Sequence, residues 1–182
     1  MKKILLVAVL AVLGFVSGNA QEVKFGAKAG LNFASVRGEN SDVYDTVTAF
    51  NLGAVAEIPL SEKISFQPEV LFSGQGYSFG NDIAALNYLN VPLMGKYYVT
   101  KGLSLEAGPQ VGFLLSAKTD NADVKNLFKK IDFGVNAGLG YKLENGLNFS
   151  ARYNLGLSNI SSVANTTNKN AVVQLSVGYF FL

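Results

Sequence analysis

The 182-residue chain contains no histidine, no cysteine and no tryptophan, and only four prolines. Without cysteine it can form no disulfide and offers no thiolate; without histidine it has no imidazole for metal binding or proton transfer. A cysteine-free chain fits any redox compartment, so this absence locates nothing. Charge is sparse too, at 15% of residues, with 15 Lys and Arg against 13 Asp and Glu. Such a balance carries no nucleic-acid footprint. What is present is 49% hydrophobic residues and 19 glycines. That mixture disfavours long helices, while the supply of aromatic and β-branched residues argues against disorder. The length suits one domain.

The first twenty residues are set apart. A basic start, Met1-Lys2-Lys3, precedes an almost wholly apolar run over 4–16, and Ser17-Gly18-Asn19-Ala20 supplies small residues before Gln21. This is the pattern of a secretory signal peptide cut after Ala20. The apolar run is short of the roughly 20 residues that a membrane-spanning helix needs. Residues 1–20 are therefore expected to be a signal peptide and 21–182 the mature domain. Removing Lys2 and Lys3 leaves 13 basic and 13 acidic residues, a formal charge of zero.

The mature chain alternates apolar and polar residues with period two, which is the signature of half-buried strands. Eight such segments are predicted, near 23–36, 48–58, 64–75, 88–99, 103–118, 131–143, 147–158 and 171–181. Short links at 59–63, 100–102 and 144–146 read as hairpin turns, with Asn145-Gly146 the clearest. Longer polar links are expected at 37–47, 77–87, 119–130 and 159–170. Eight antiparallel strands joined this way predict an all-β, up-and-down barrel.

Two solvents compete for the two faces. A soluble barrel hides its apolar parity, whereas a membrane barrel turns it toward lipid. Segments of about 11–14 residues exceed the roughly 9–11 tilted residues that cross a bilayer. The polar parity is rich in Gly, Asn, Ser and Gln, which suits the narrow lumen of an eight-stranded barrel. Aromatics of the apolar parity fall at two heights: Phe25, Phe66, Tyr97, Tyr141, Phe149, Tyr179 and Phe181 toward the short turns, and Phe33, Phe50, Phe72, Phe113 and Phe133 toward the long links. Two aromatic girdles around an aliphatic band are what two membrane–water interfaces select, although Tyr153 breaks the pattern. The expected fold is thus a transmembrane barrel with Lys24, Lys28, Glu57, Glu69, Lys96, Glu106, Lys118, Asp132, Lys142 and Arg152 facing the lumen. Buried charges of mixed sign must pair or stay wet, so these ten are expected to form a polar plug.

Several segments carry a resemblance. Phe66-Gln-Pro-Glu-Val-Leu-Phe-Ser73 with Gly74-Gln-Gly76, Leu86-Asn-Tyr-Leu-Asn-Val-Pro-Leu93 with Lys96-Tyr-Tyr98, Ala107-Gly-Pro-Gln-Val-Gly112, Asp132-Phe-Gly-Val-Asn-Ala-Gly-Leu-Gly-Tyr141 and Ala151-Arg-Tyr-Asn-Leu-Gly156 follow one another in this order. Together they resemble the small outer-membrane β-barrels of Bacteroidetes, often called porin-family or PorT-like. The resemblance implies an integral outer-membrane protein of a Gram-negative envelope, with no catalytic residues and no cofactor. It implies outer-membrane lipid, lipopolysaccharide and the barrel-insertion machinery as partners, and periplasmic termini. Barrels of this kind usually end on an aromatic; here Phe181 precedes a final Leu182. The expected role is structural or surface-interacting. A narrow channel or secretion accessory is the alternative, and a soluble lipocalin-like ligand-binding barrel a further one. Outer-membrane enzymes generally use histidine, which this chain lacks. Glu39, Asp42, Asp45, Asp120 and Asp123 match no calcium loop and read as solvated loop charge.

Overall fold

Period-two alternation demands that each strand show one face to each of two environments, and pairing must satisfy every backbone group between them. The computed structural model describes residues 23–38, 43–80, 82–119, 122–163 and 166–181. Its strands are β1 (Lys24–Gly38), β2 (Val47–Pro59), β3 (Ile64–Phe79), β4 (Asp82–Tyr98), β5 (Leu103–Thr119), a two-residue β6 (Ala122–Asp123), β7 (Ile131–Lys142), β8 (Leu147–Gly156) and β9 (Asn168–Phe181). Each long strand pairs antiparallel with the next long strand, and β1 pairs with β9 from Phe25↔Phe181 to Gly38↔Asn168. The eight long strands therefore close into an up-and-down ring, which removes both sheet edges. No helix among the described residues is long and apolar enough to cross a membrane; the crossing is made by strands. The proposed signal segment and Leu182 lie outside the described residues.

The faces sort as a bilayer requires. Leu31, Leu52, Val70, Leu105, Val135, Leu139, Leu175 and Val177 are exposed on the outer wall, while Asn32, Asn51, Glu69, Glu106, Asn136 and Arg152 are buried inside. This is the inverse of a soluble barrel. The chain is an eight-stranded transmembrane β-barrel.

The two ends of the barrel differ. At one end the turns are tight, as at Gly146 with φ +89°, a left-handed value that glycine adopts without steric cost. At the other end the wall is uneven. β3, β4 and β5 run 16, 17 and 17 residues, whereas β7 and β8 run 12 and 10. The link expected at 77–87 is strand almost throughout, paired down to Phe79↔Asp82. Its Asn, Asp and Gly residues read as a loop, but only the turn at Gly80, with φ +59°, needs loop geometry. In this tall section the interior changes character. Val36, Leu86, Tyr88, Leu114, Ala117 and Ile160 form one buried apolar cluster, with Tyr44, Tyr77, Val124 and Phe128 packed on it. Here the inside of the wall packs like the core of a soluble protein.

One predicted luminal residue is misplaced for a local reason. The β4–β5 register shifts between Asn87↔Ser116 and Tyr88↔Leu114, leaving Leu115 as the extra residue of a bulge. A bulge inserts one residue and reverses the facing of everything beyond it. Ala117 therefore turns inward and is fully buried, and Lys118 is exposed on the outside.

The facing is testable at adjacent positions of β7. Val135→Arg puts a cation on the hydrocarbon face and is expected to cost about 2–4 kcal/mol near the midplane. Asn136→Arg enters a hydrogen-bonded interior, where its effect depends on local packing and charge. Urea unfolding of both variants in lipid vesicles checks this; indistinguishable costs would contradict the assigned faces.

Candidate functional site

Alternation sends the inward side chains of all eight long strands into one narrow space, and that space is the candidate site. At its middle, Glu69 of β3 and Glu106 of β5 share the guanidinium of Arg152 from β8. Arg152 donates from Nη1 and Nη2 to the two Glu69 oxygens at 2.8 and 2.7 Å and from Nε to Glu106 Oε2 at 2.8 Å. The planar fork of arginine suits this two-sided grip. Lys28 of β1 donates to Glu69 at 3.3 Å, and Lys96 of β4 sits 3.2 Å from Glu106 Oε1. Gln67 links the halves, donating to Glu69 Oε1 at 2.6 Å and accepting from Lys96 at 3.1 Å.

Toward the tight-turn end a second knot centres on Glu57 of β2. Lys142 of β7 donates to both its oxygens at 2.8 and 2.9 Å, and the Tyr98 hydroxyl donates to Oε1 at 2.5 Å. Lys96 stands 4.0 Å from Glu57 and so bridges the two knots. The Lys142 ammonium also lies over the rings of Tyr98 and Phe180, at 5.1 and 5.5 Å. Four cations thus face three carboxylates across seven strands. Small residues make room: a Cβ at Gly140 would collide with the Glu106 carboxylate.

Toward the tall end the inward polar groups among the described residues are uncharged amides and hydroxyls, with Asp132 the one acid among them. Asn51 donates to Asn32 at 2.9 Å, Asn32 to Ser73 at 2.9 Å, and Gln174 to Asn32 at 3.1 Å. Asn154 donates to Asn136, and Asn136 to Gln110. Asp132 accepts from Ser158 at 2.6 Å and from Asn170 at 2.8 Å. The apolar cluster lies beyond.

Of the ten ionisable residues assigned to the lumen from the sequence, Lys28, Glu57, Glu69, Lys96, Glu106, Asp132 and Arg152 are buried and Lys142 is half-buried. All but Asp132 belong to the two charged knots. Lys24 is half-buried at the turn end, and Lys118 is outside the barrel. Tyr98 and Gln67 join the knots although neither carries a formal charge; their inward parity is the available signal. On the outer wall, Phe25, Phe50, Tyr97, Phe113, Phe133, Tyr141, Phe149, Tyr179 and Phe181 are exposed, and Phe33, Phe66 and Phe72 partly so. Phe50 stacks on Phe72 at 5.2 Å, and Tyr179 meets Phe181 edge-on at 5.8 Å. Asp45 and Asp123 are exposed, while Glu39, Asp42 and Asp120 lie outside the described residues. Among the described residues no group of acidic side chains is arranged to hold a metal.

Comparison with known proteins agrees with this architecture. The family model described as outer membrane protein beta-barrel domain matches residues 19–162. Neisserial surface protein A superposes with a TM-score of 0.62 at 12% identity, covering 88% of this chain and all of that one. Ail, the attachment invasion locus protein of Yersinia pestis, gives 0.53 at 14% identity, with the same two coverages of 88% and 100%. A major outer membrane protein of Thermus thermophilus gives 0.51 at 14% identity, again covering 88% and 100%. No curated protein matches by sequence.

The charged middle knot generates a stability test. Arg152→Met leaves Glu69 and Glu106 facing each other without their shared cation and is expected to cost about 3–5 kcal/mol. The variant Arg152→Met with Glu69→Gln and Lys28→Met should recover much of the loss, because Glu106 keeps Lys96 and no buried ion is left without a partner. The midpoint of heat-modifiable gel mobility reads both.

Proposed function

Because this chain belongs to the family of outer membrane protein β-barrel domains, we propose that it is a non-enzymatic envelope barrel whose lumen is closed by its own side chains, and whose role is structural or surface-interacting. The observation that carries this reading is the two linked charge knots, whose members come from opposite walls and meet at hydrogen-bonding distance. A conducting eight-stranded pore would need a continuous wet path through a space that side chains already fill. The apolar cluster over the tall end adds a second obstruction. The competing reading is a narrow channel or secretion accessory. Buried polar atoms without a partner among the described residues, such as Gln75 Oε1, Asn170 Oδ1 and Ser150 Oγ, are where water would sit along such a path.

The twelve outer-wall aromatics are taken to mark the two lipid–water interfaces. The tight-turn end and both termini are assigned to the periplasm, and the tall end with its longer links to the cell exterior. This follows the usual plan of such barrels, with short periplasmic turns and longer outer loops. Residues 1–20 act as the export signal, and the barrel-insertion machinery and lipopolysaccharide are the implied partners. The segment order shared with Bacteroidetes porin-family barrels supports a source of that kind.

Two measurements test this. In planar bilayers the purified barrel is expected to stay silent, and discrete conductance steps would overturn the closed lumen. The natural absence of cysteine makes single-site labelling clean. Val163→Cys should react with a membrane-impermeant maleimide on intact cells, and Glu62→Cys only after the outer membrane is permeabilised. The opposite pattern would reverse the orientation.

A further inference from the structure

On the short side of the rim, where β7 begins at Ile131 and β8 ends at Gly156, two links fold against each other. Lys129 N–H donates to Ile160 O at 2.8 Å and Ser162 N–H to Leu127 O at 2.9 Å. Ile160 at this junction is anchored in the buried apolar cluster. The result is a fixed shelf. Its surface is an open concavity of about 710 Å³ lined by Lys125, Asn126, Phe128, Lys129, Lys130, Ile131 and Ser162.

Three lysines and no acid line this concavity. Asp123 lies near it, accepting the Lys125 backbone N–H at 2.9 Å. Lys125 Nζ donates to Leu115 O at 2.6 Å, which uses one of its three donors and leaves two. The shelf's height matters as much as its charge. Ile131 pairs with outward-facing Phe113, and Phe133 with Val111, on the hydrocarbon-facing wall. Lys130 and Lys129 follow directly, about 3–7 Å of chain beyond that wall at strand rise. Exposed Leu127 stands beside them. Cations just outside an apolar belt, with apolar side chains among them, match an amphiphile whose anionic group sits at the interface. Lysine clusters at a membrane surface attract anionic lipid headgroups, and the volume falls in the range of small-ligand sites.

We propose that Lys125, Lys129 and Lys130 form a rim site for the phosphate-bearing sugar headgroup of an outer-leaflet glycolipid. The site clamps one such lipid against the β7–β8 wall, where the strands are shortest and the barrel has least height above the membrane. The assignment to the outer leaflet rests on the orientation proposed above. The chemistry of the shelf does not.

The test uses the full mature barrel refolded in detergent micelles, so it is independent of which way the rim faces in cells. The probes are bisphosphorylated lipid A, the same lipid stripped of both phosphates, and inorganic phosphate as competitor, with bound lipid read by native mass spectrometry. The variant is Lys125→Gln with Lys129→Gln and Lys130→Gln, its fold checked by heat-modifiable mobility. Wild type is expected to hold the bisphosphorylated lipid about tenfold or more tightly than the variant, and the two should hold the stripped lipid alike. If the triple variant fails to fold, Lys129→Gln and Lys130→Gln are measured singly, each expected to show a smaller loss of the same phosphate-dependent kind. Equal retention by wild type and variant overturns the site. Displacement of the lipid by low-millimolar inorganic phosphate also overturns the headgroup assignment, because free phosphate would then suffice. The maleimide pattern separates a wrong orientation from a wrong site.

Discussion

Hydrocarbon offers no hydrogen bonds, and this one fact organises the molecule. Every backbone donor and acceptor within the bilayer must be satisfied by another strand, so the sheet closes on itself. Closure makes an inside, and eight strands make it narrow. The outer wall can then carry only side chains that lipid tolerates. All charge within the membrane is driven inward, into a space too small to keep it well hydrated. The Glu69–Arg152–Glu106 and Glu57–Lys142 contacts are the consequence of that confinement. Ion pairs taken out of water return little net stability, but a member left alone is costly. The network therefore specifies strand register more than it adds stability, because slipping one strand by a single residue would send its charge into lipid.

The same logic explains why the barrel's interior changes along its axis. Inside the membrane the interior is polar because the exterior is apolar. Beyond the hydrocarbon the exterior meets water, and the interior of the tall β3–β4–β5 wall is free to become apolar. Leu86, Tyr88 and Leu114 occupy inward positions there, only a few residues beyond inward Asn90 and Gln110. The Leu115 bulge falls at this transition. Ile160, brought in by a link rather than a strand, completes the cluster and ties the short β7–β8 side to the tall side.

Much of this is legible in the residues. Strand number, pairing order and the facing of Val135, Glu69 or Arg152 follow from period-two alternation, since neighbours in sequence determine parity. Partnership does not follow. Arg152 and Glu69 are 83 positions apart, and parity says only that both point inward. Lys118 reads as inward because a bulge leaves no mark in a run such as Gly112-Phe-Leu-Leu-Ser-Ala-Lys118; the parity reverses silently at Leu115. Residues 77–87 read as a loop because Asn, Asp and Gly weaken strand signals, and because alternation inverts its meaning where lipid gives way to water. The lysine shelf is invisible for a related reason: Lys125, Lys129 and Lys130 gain their geometry from a link about thirty residues later, through Ile160 and Ser162.

The most direct measurement is the contact between lipid and side-chain methyl groups, by nuclear Overhauser transfer from acyl-chain protons in nanodiscs. Methyls occur on both faces, so the comparison is internal. Val135, Leu139, Leu175 and Val177 should receive transfer from the acyl chains, and Leu71, Met94, Leu86 and Ile160, all essentially inaccessible, should receive none. Transfer to the second set in place of the first would contradict the account at its root.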